Sequence, residues 1–282
     1  MGKGYPLVGQ DMRSYSPDFS GRVFIWDVDK TYLDTHFSSL QGLLRIPVEF
    51  AVDKRSLPGM AEVLRGLRRG PGPEFTAAPI YFVTASPPQL RAVLERKMLL
   101  DGVEHDGIFF KDWLRALAGL RPGRLREQIG FKLCALLTAR LARPRSVEVL
   151  FGDDTESDPQ AFWLYARLLQ GMSAGDAESA MQQLAVSGDD RRCIIELLDR
   201  LQPSPGGVER IFIYLARGTA AHEIRRLGPL LLPVSDAYQL AWAAHRLGYV
   251  DRLTLEAARR ACERQIPGFD ANRSQTAVEL FL

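Results

Sequence analysis

Short, unbroken apolar runs alternate along the chain with stretches in which apolar residues return every three or four positions. Residues 22–28, RVFIWDV, are the first such run and predict a buried strand. After Pro58-Gly59, residues Met60, Val63, Leu64 and Leu67 fall at i, i+3, i+4 and i+7, the stripe of an amphipathic helix. The breaker Arg69-Gly70-Pro71-Gly72-Pro73 ends it. Residues 79–84, PIYFVT, predict a second strand. Pro87-Pro88 can open a helix, since proline is tolerated in a first turn, and Leu90, Val93, Leu94 and Met98 continue it. Residues 107–110, 147–154, 208–218 and 228–234 predict further strands, and 131–141, 160–170, 235–248 and 253–265 further helices. The lead-in 1–20, the insert 36–57, the stretch 171–190 and the tail from Phe269 show no clear period.

Strands alternating with helices predict an α/β fold: βαβ units around a mostly parallel sheet. Right-handed crossovers then bring the carboxyl ends of the strands to one edge, where ligands bind. The residues to weigh are those at the strand ends: Asp27 and Asp29, Thr84 and Ser86, Asp153 and Asp154. Two carboxylates one residue apart at the end of a core strand are costly to hold. A divalent cation among them removes the difficulty, and magnesium prefers such oxygen ligands.

Composition changes this picture little. A formal charge of +2 predicts neither nucleic-acid nor membrane binding by bulk electrostatics. Cys134, Cys193 and Cys262 are odd in number and widely spaced, so they predict neither a disulfide framework nor a zinc site, and a reducing, cytoplasmic setting is expected. His36, His105, His222 and His245 show no metal-ligand spacing. The polar N-terminus has no signal-peptide core, and no apolar run has the length of a membrane span.

Four segments taken together carry more. D-V-D-K-T at 27–31, F-V-T-A-S at 82–86, Lys132 at a helix start and G-D-D-T-E-S-D at 152–158 occur in the order that resembles the haloacid dehalogenase superfamily of phosphotransferases. Y-L-D-T at 32–35, L-P-G-M at 57–60, S-P-P-Q-L at 86–90 and Asp158-Pro159 narrow the resemblance. With them, residues 22–170 resemble the phosphatidate phosphatase domain of the fungal actin-patch proteins and their bacterial relatives.

That resemblance implies a three-layer, Rossmann-like domain with a mostly parallel sheet and a small cap or none. The chain as a whole reads as a flexible lead-in at 1–20, a phosphatase domain at 21–235 with its motifs within 22–170, and a mainly helical C-terminal extension at 236–282. The implied chemistry is magnesium-dependent hydrolysis of a phosphomonoester through an aspartyl-phosphate on Asp27. Asp29 would protonate the leaving oxygen and then activate water. Thr84, with the backbone amides of Ala85 and Ser86, would bind phosphoryl oxygens, and Lys132 would neutralise them and hold Asp27. Lys111, after its own strand, is a rival for that lysine role. Asp27, the backbone carbonyl of Asp29, and Asp153 would bind magnesium, with Asp154 or Asp158 completing the shell.

The implied substrate is a lipid phosphate such as phosphatidate. The same motif also serves protein and 3′-polynucleotide phosphatases, and a binding module that has lost catalysis is a third reading. Nucleic acid is not expected, given the charge. The segment 37–50, with Phe37, Leu40, Leu43, Leu44 and Ile46, could touch a bilayer peripherally, cover the site or pack on the domain. One departure concerns Lys30, where the relatives usually carry an acid; it puts the substrate in doubt more than the chemistry.

Overall fold

The computed structural model describes residues 7–34, 55–111, 128–201 and 206–282. Seven strands form one sheet: β1 (Leu7–Asp11), β2 (Arg22–Asp27), β3 (Ile80–Thr84), β4 (Gly107–Lys111), β5 (Val147–Asp153), β6 (Gly207–Tyr214) and β7 (Leu231–Val234). Their order is β1-β4-β3-β2-β5-β6-β7, which puts β2 at the centre. All neighbours pair in parallel except β1, which runs antiparallel to β4 at the edge. Residues 7–11, expected to be part of a flexible lead-in, are therefore an edge strand. Gly9 helps here, because a side chain at that position would collide with the Phe109 ring.

Side chains on a strand point alternately to opposite faces, and β2 shows the consequence. Phe24 and Trp26 enter one core, Val23 and Ile25 the other. On the first face Trp26 stacks on Phe151 at 4.2 Å, and Phe151 on Phe212 at 5.0 Å, a row of rings across β2, β5 and β6. This face is covered by α1 (Met60–Arg69), α2 (Arg91–Leu100), α8 (Ala237–Arg246), α9 (Arg252–Gln265) and α10 (Ala271–Glu279). The second face is covered by α3 (Ile129–Arg140), α4 (Asp158–Leu169), α5 (Ala174–Gln183), α6 (Gly188–Arg200) and α7 (Ala221–Leu227). The arrangement is the Rossmann-like, three-layer α/β fold expected from the sequence.

Two stretches without clear sequence period are helical. In 171–190, Ser173 and Ser187 each accept the amide three residues on, from Asp176 and Asp190, and so start α5 and α6. In the tail, Asp270 accepts the amides of Asn272 and Arg273 and starts α10. The residues beyond 236 contribute Ala237, Leu240, Ala241, Leu255 and Val278 to the same core as Phe24 and Trp26. The segment 37–50 lies outside the described residues. Among those described, no helix is long and apolar enough to cross a membrane.

Candidate active site

The parallel sheet sets the ends of β2, β3 and β5 side by side. Trp26 pairs with Phe151 and Phe82, so Asp27, Thr84 and Asp153 emerge at one edge. Asp27, 2% exposed, receives a 3.0 Å hydrogen bond on Oδ1 from the Lys132 ammonium, which is fully buried on the first turn of α3. The same ammonium donates to Asp158 Oδ1 and, at 3.4 Å, to Glu156 Oε2. Burial alone would lower the Lys132 pKa; Asp158, Asp27 and Glu156 more than reverse this and hold it charged.

The other oxygen of Asp27 faces a different partner. The Thr31 hydroxyl lies 3.5 Å from Asp27 Oδ2 and 3.3 Å from Asp153 Oδ2. Asp153 Oδ1 accepts the backbone amide of Thr155 at 2.6 Å as well as its hydroxyl. Asp158 Oδ2 accepts the amide of Asp153 at 3.3 Å, which ties the start of α4 to the end of β5. Burial pushes the carboxyls of Asp27 and Asp153 above the usual range and that of Asp158 up to about 7, with Lys132 opposing it in each case.

Asp29 turns the other way. Its Oδ2 accepts the hydroxyls of Ser86 at 2.7 Å and Thr84 at 3.1 Å. The amide of Ser86 donates to Thr84 Oγ1 at 3.0 Å, so it is engaged within this cluster instead of standing free for a ligand. Ala85, half-buried, lies between them at the end of β3. The chain can reverse sharply after Asp29 because Lys30 adopts a left-handed φ of 61° and its amide donates to the carbonyl of Leu33 at 2.8 Å. The Lys30 ammonium lies 2.9 Å from Asp34 Oδ1.

The structure thus brings Asp27, Asp29, Thr84, Ser86, Lys132, Asp153 and Asp158 together. Lys132, not Lys111, touches Asp27; Lys111 ends β4 and lies over the Phe131 ring at 5.8 Å. Asp154 points elsewhere, its two oxygens accepting the amides of Arg217 at 2.7 Å and Thr219 at 2.9 Å. Asp158, by contrast, contacts the Lys132 ammonium and the Asp153 amide. Glu156, absent from the sequence-derived set, joins the cluster. Its only sequence signal is a place two residues before Asp158 in the acid-rich turn after β5.

Carboxylate oxygens of Asp27, Glu156 and Asp158 all lie within 4.8 Å of one another, a group that can hold a metal ion. Here Lys132 contacts all three. With Asp153 added, four carboxylates face one ammonium, and the surplus negative charge and all-oxygen donor set suit a hard divalent cation. Asp27 Oδ2 and Asp153 Oδ2 meet at the Thr31 hydroxyl, and Asp27 Oδ2 is the oxygen that the ammonium does not hold.

No curated protein and no solved structure matches the chain. A family model does: that of the phosphatidate phosphatase APP1 catalytic domain, over residues 22–172. This span runs from β2 to the end of α4 and contains the whole cluster just described. Just over half of the chain is matched, and the protein belongs to the phosphatidate phosphatase APP1 catalytic domain family, whose members are phosphoric monoester hydrolases.

Proposed function

We propose that the protein hydrolyses a lipid phosphate such as phosphatidate, with magnesium, through an aspartyl-phosphate on Asp27. The observation that carries this reading is the division of labour at Asp27. One oxygen is held by a buried ammonium at 3.0 Å, and the other faces Asp153 across the Thr31 hydroxyl. A carboxylate so fixed has no freedom to rotate and can present a lone pair to phosphorus.

Magnesium, held by Asp27, Asp153 and the backbone carbonyl of Asp29, would supply the charge that lets a phosphate dianion approach a carboxylate. Lys132 carries a second positive charge to the phosphoryl oxygens. Asp27 attacks phosphorus, and the ester oxygen leaves with a proton from Asp29. Asp29 then takes a proton from water as the water attacks phosphorus, freeing Asp27 and inorganic phosphate. The hydroxyls of Thr84 and Ser86, which donate to Asp29 Oδ2, hold that carboxyl in place between the two steps.

The lipid substrate rests on the family description. Phosphate release from phosphatidate in vesicles, measured with and without magnesium beside p-nitrophenyl phosphate, phosphopeptides and 3′-phosphorylated oligonucleotides, tests it. Magnesium-dependent release from the vesicles, lost in Asp27→Asn, is expected. Turnover of the soluble esters with none from the vesicles would remove the lipid and leave the chemistry standing.

A further inference from the structure

Lys132 has three N–H bonds and three carboxylate partners, so none of its donors is left for a phosphoryl group. An arriving phosphate must displace one of the three. Asp27 cannot yield, because it is the group that must stay aligned. Asp158 is fully buried, and its second oxygen accepts the Asp153 amide, so moving it would unpair two groups at once. Glu156 is different. Its contact of 3.4 Å is longer than the 3.0 Å contact of Asp27, and its side chain is 26% exposed, so water is available to receive it. It also has no other hydrogen-bond partner among the described residues. It stands on the turn between β5 and α4.

We propose that Glu156 is a displaceable counter-ion: it neutralises Lys132 while the site is empty and gives up its place to the substrate phosphoryl group. This rests on the proposed phosphatase reading and gives a role to a residue of the 152–158 motif that had none. The expected consequence is electrostatic. A carboxylate beside the phosphoryl position opposes anion binding, so Glu156 weakens retention of the product, inorganic phosphate, and hastens its exchange. A metal-ligand role for the same residue predicts the opposite sign, because loss of the charge would then weaken magnesium and phosphate together.

The test is calorimetric titration of inorganic phosphate into wild type, Glu156→Gln and Glu156→Asp, with and without magnesium, alongside titration of magnesium alone. Glu156→Gln is expected to bind phosphate about tenfold more tightly with magnesium affinity unchanged. Glu156→Asp should lie near wild type, and KM for p-nitrophenyl phosphate should fall while kcat does not rise. Unchanged or weaker phosphate binding in Glu156→Gln overturns the proposal, as does a parallel loss of magnesium affinity. Because phosphate binding is read without turnover, tighter phosphate binding in a protein that hydrolyses nothing would sink the phosphatase reading and leave the counter-ion.

Discussion

Asp154 and Arg217 are joined through side chain and backbone: one carboxylate oxygen of Asp154 accepts the Arg217 amide at 2.7 Å. The other accepts the Thr219 amide at 2.9 Å, and the amide of Asp154 itself donates to the Tyr214 carbonyl at 3.1 Å. Three bonds thus fasten the turn after β6 to the end of β5. Removing the carboxylate should act on that turn and not on a metal. Asp154→Ala is expected to lose about 1–3 kcal/mol of stability while magnesium affinity stays within a factor of about two. Urea unfolding and calorimetry check this. A tenfold weaker magnesium affinity with unchanged stability would return Asp154 to the metal shell.

Such detail explains which parts of the site were legible in the sequence. The apolar run before Asp27 and the run before Asp153 locate two strand ends, and parallel pairing brings them together whatever the intervening chain does. Lys132 was legible only through a resemblance, because a lysine at a helix start is ordinarily solvated; its burial depends on three acids from two other segments. Asp154 and Asp158 look equivalent in G-D-D-T-E-S-D. What separates them is the direction each faces after the strand ends, which depends on the neighbouring turn at 215–219. In the fold, Ser173 and Ser187 each precede an acid by three residues, a capping signal that outlasts the weak apolar period of α5 and α6. The edge strand 7–11 was hidden for a different reason: edge pairing is set by the partner β4 and needs little burial of its own.

Lys132 gathers acids that would otherwise repel one another. Lys132→Met should leave Asp27, Asp158 and Glu156 facing each other at close range without compensation. A loss of about 3–5 kcal/mol is expected for the metal-free protein, with turnover abolished. The double variant Lys132→Met/Glu156→Gln should recover part of that stability, since one of the uncompensated charges is gone. Chemical denaturation of the two variants checks the order; equal stability would show that Glu156 does not share the charge of Lys132.

Asp101, at the end of α2, ties the two chain segments that flank 35–54. Its Oδ2 accepts the hydroxyls of Tyr32 and Ser56, each at 2.5 Å, and its Oδ1 accepts the Lys97 ammonium at 2.5 Å. Burial acts to raise the Asp101 pKa, but these three partners outweigh it and hold it below the ordinary 3.8. A carboxyl with a depressed folded pKa stabilises the protein above the unfolded value and loses that contribution as pH falls through the folded one. Asp101→Asn should therefore be less stable than wild type at pH 6, and the gap should narrow below pH 3.8. Melting temperatures of both proteins across that range decide it; a gap independent of pH would mean that the charge of Asp101 contributes nothing.

The last test concerns the floor of the site. Gly152 precedes Asp153 on β5, and a methyl group there would stand 2.7 Å from Asp158 Cβ and 2.7 Å from the Phe162 ring. Both belong to α4, so the helix packs this close to the sheet only because position 152 has no side chain. Asp158 reaches Lys132 and the Asp153 amide from that close seat. Gly152→Ala must push α4 outward or turn Asp158 off its partners, at a cost of about 1–3 kcal/mol. Since Asp158 is moved relative to Lys132, kcat should fall more than stability alone explains, even at temperatures where the variant is fully folded. Gly72→Ala is the control, because nothing lies within 4 Å of a methyl group at that position; it should leave kcat unchanged. A fully active Gly152→Ala would show that the seat of α4 yields freely and that Asp158 does not depend on it.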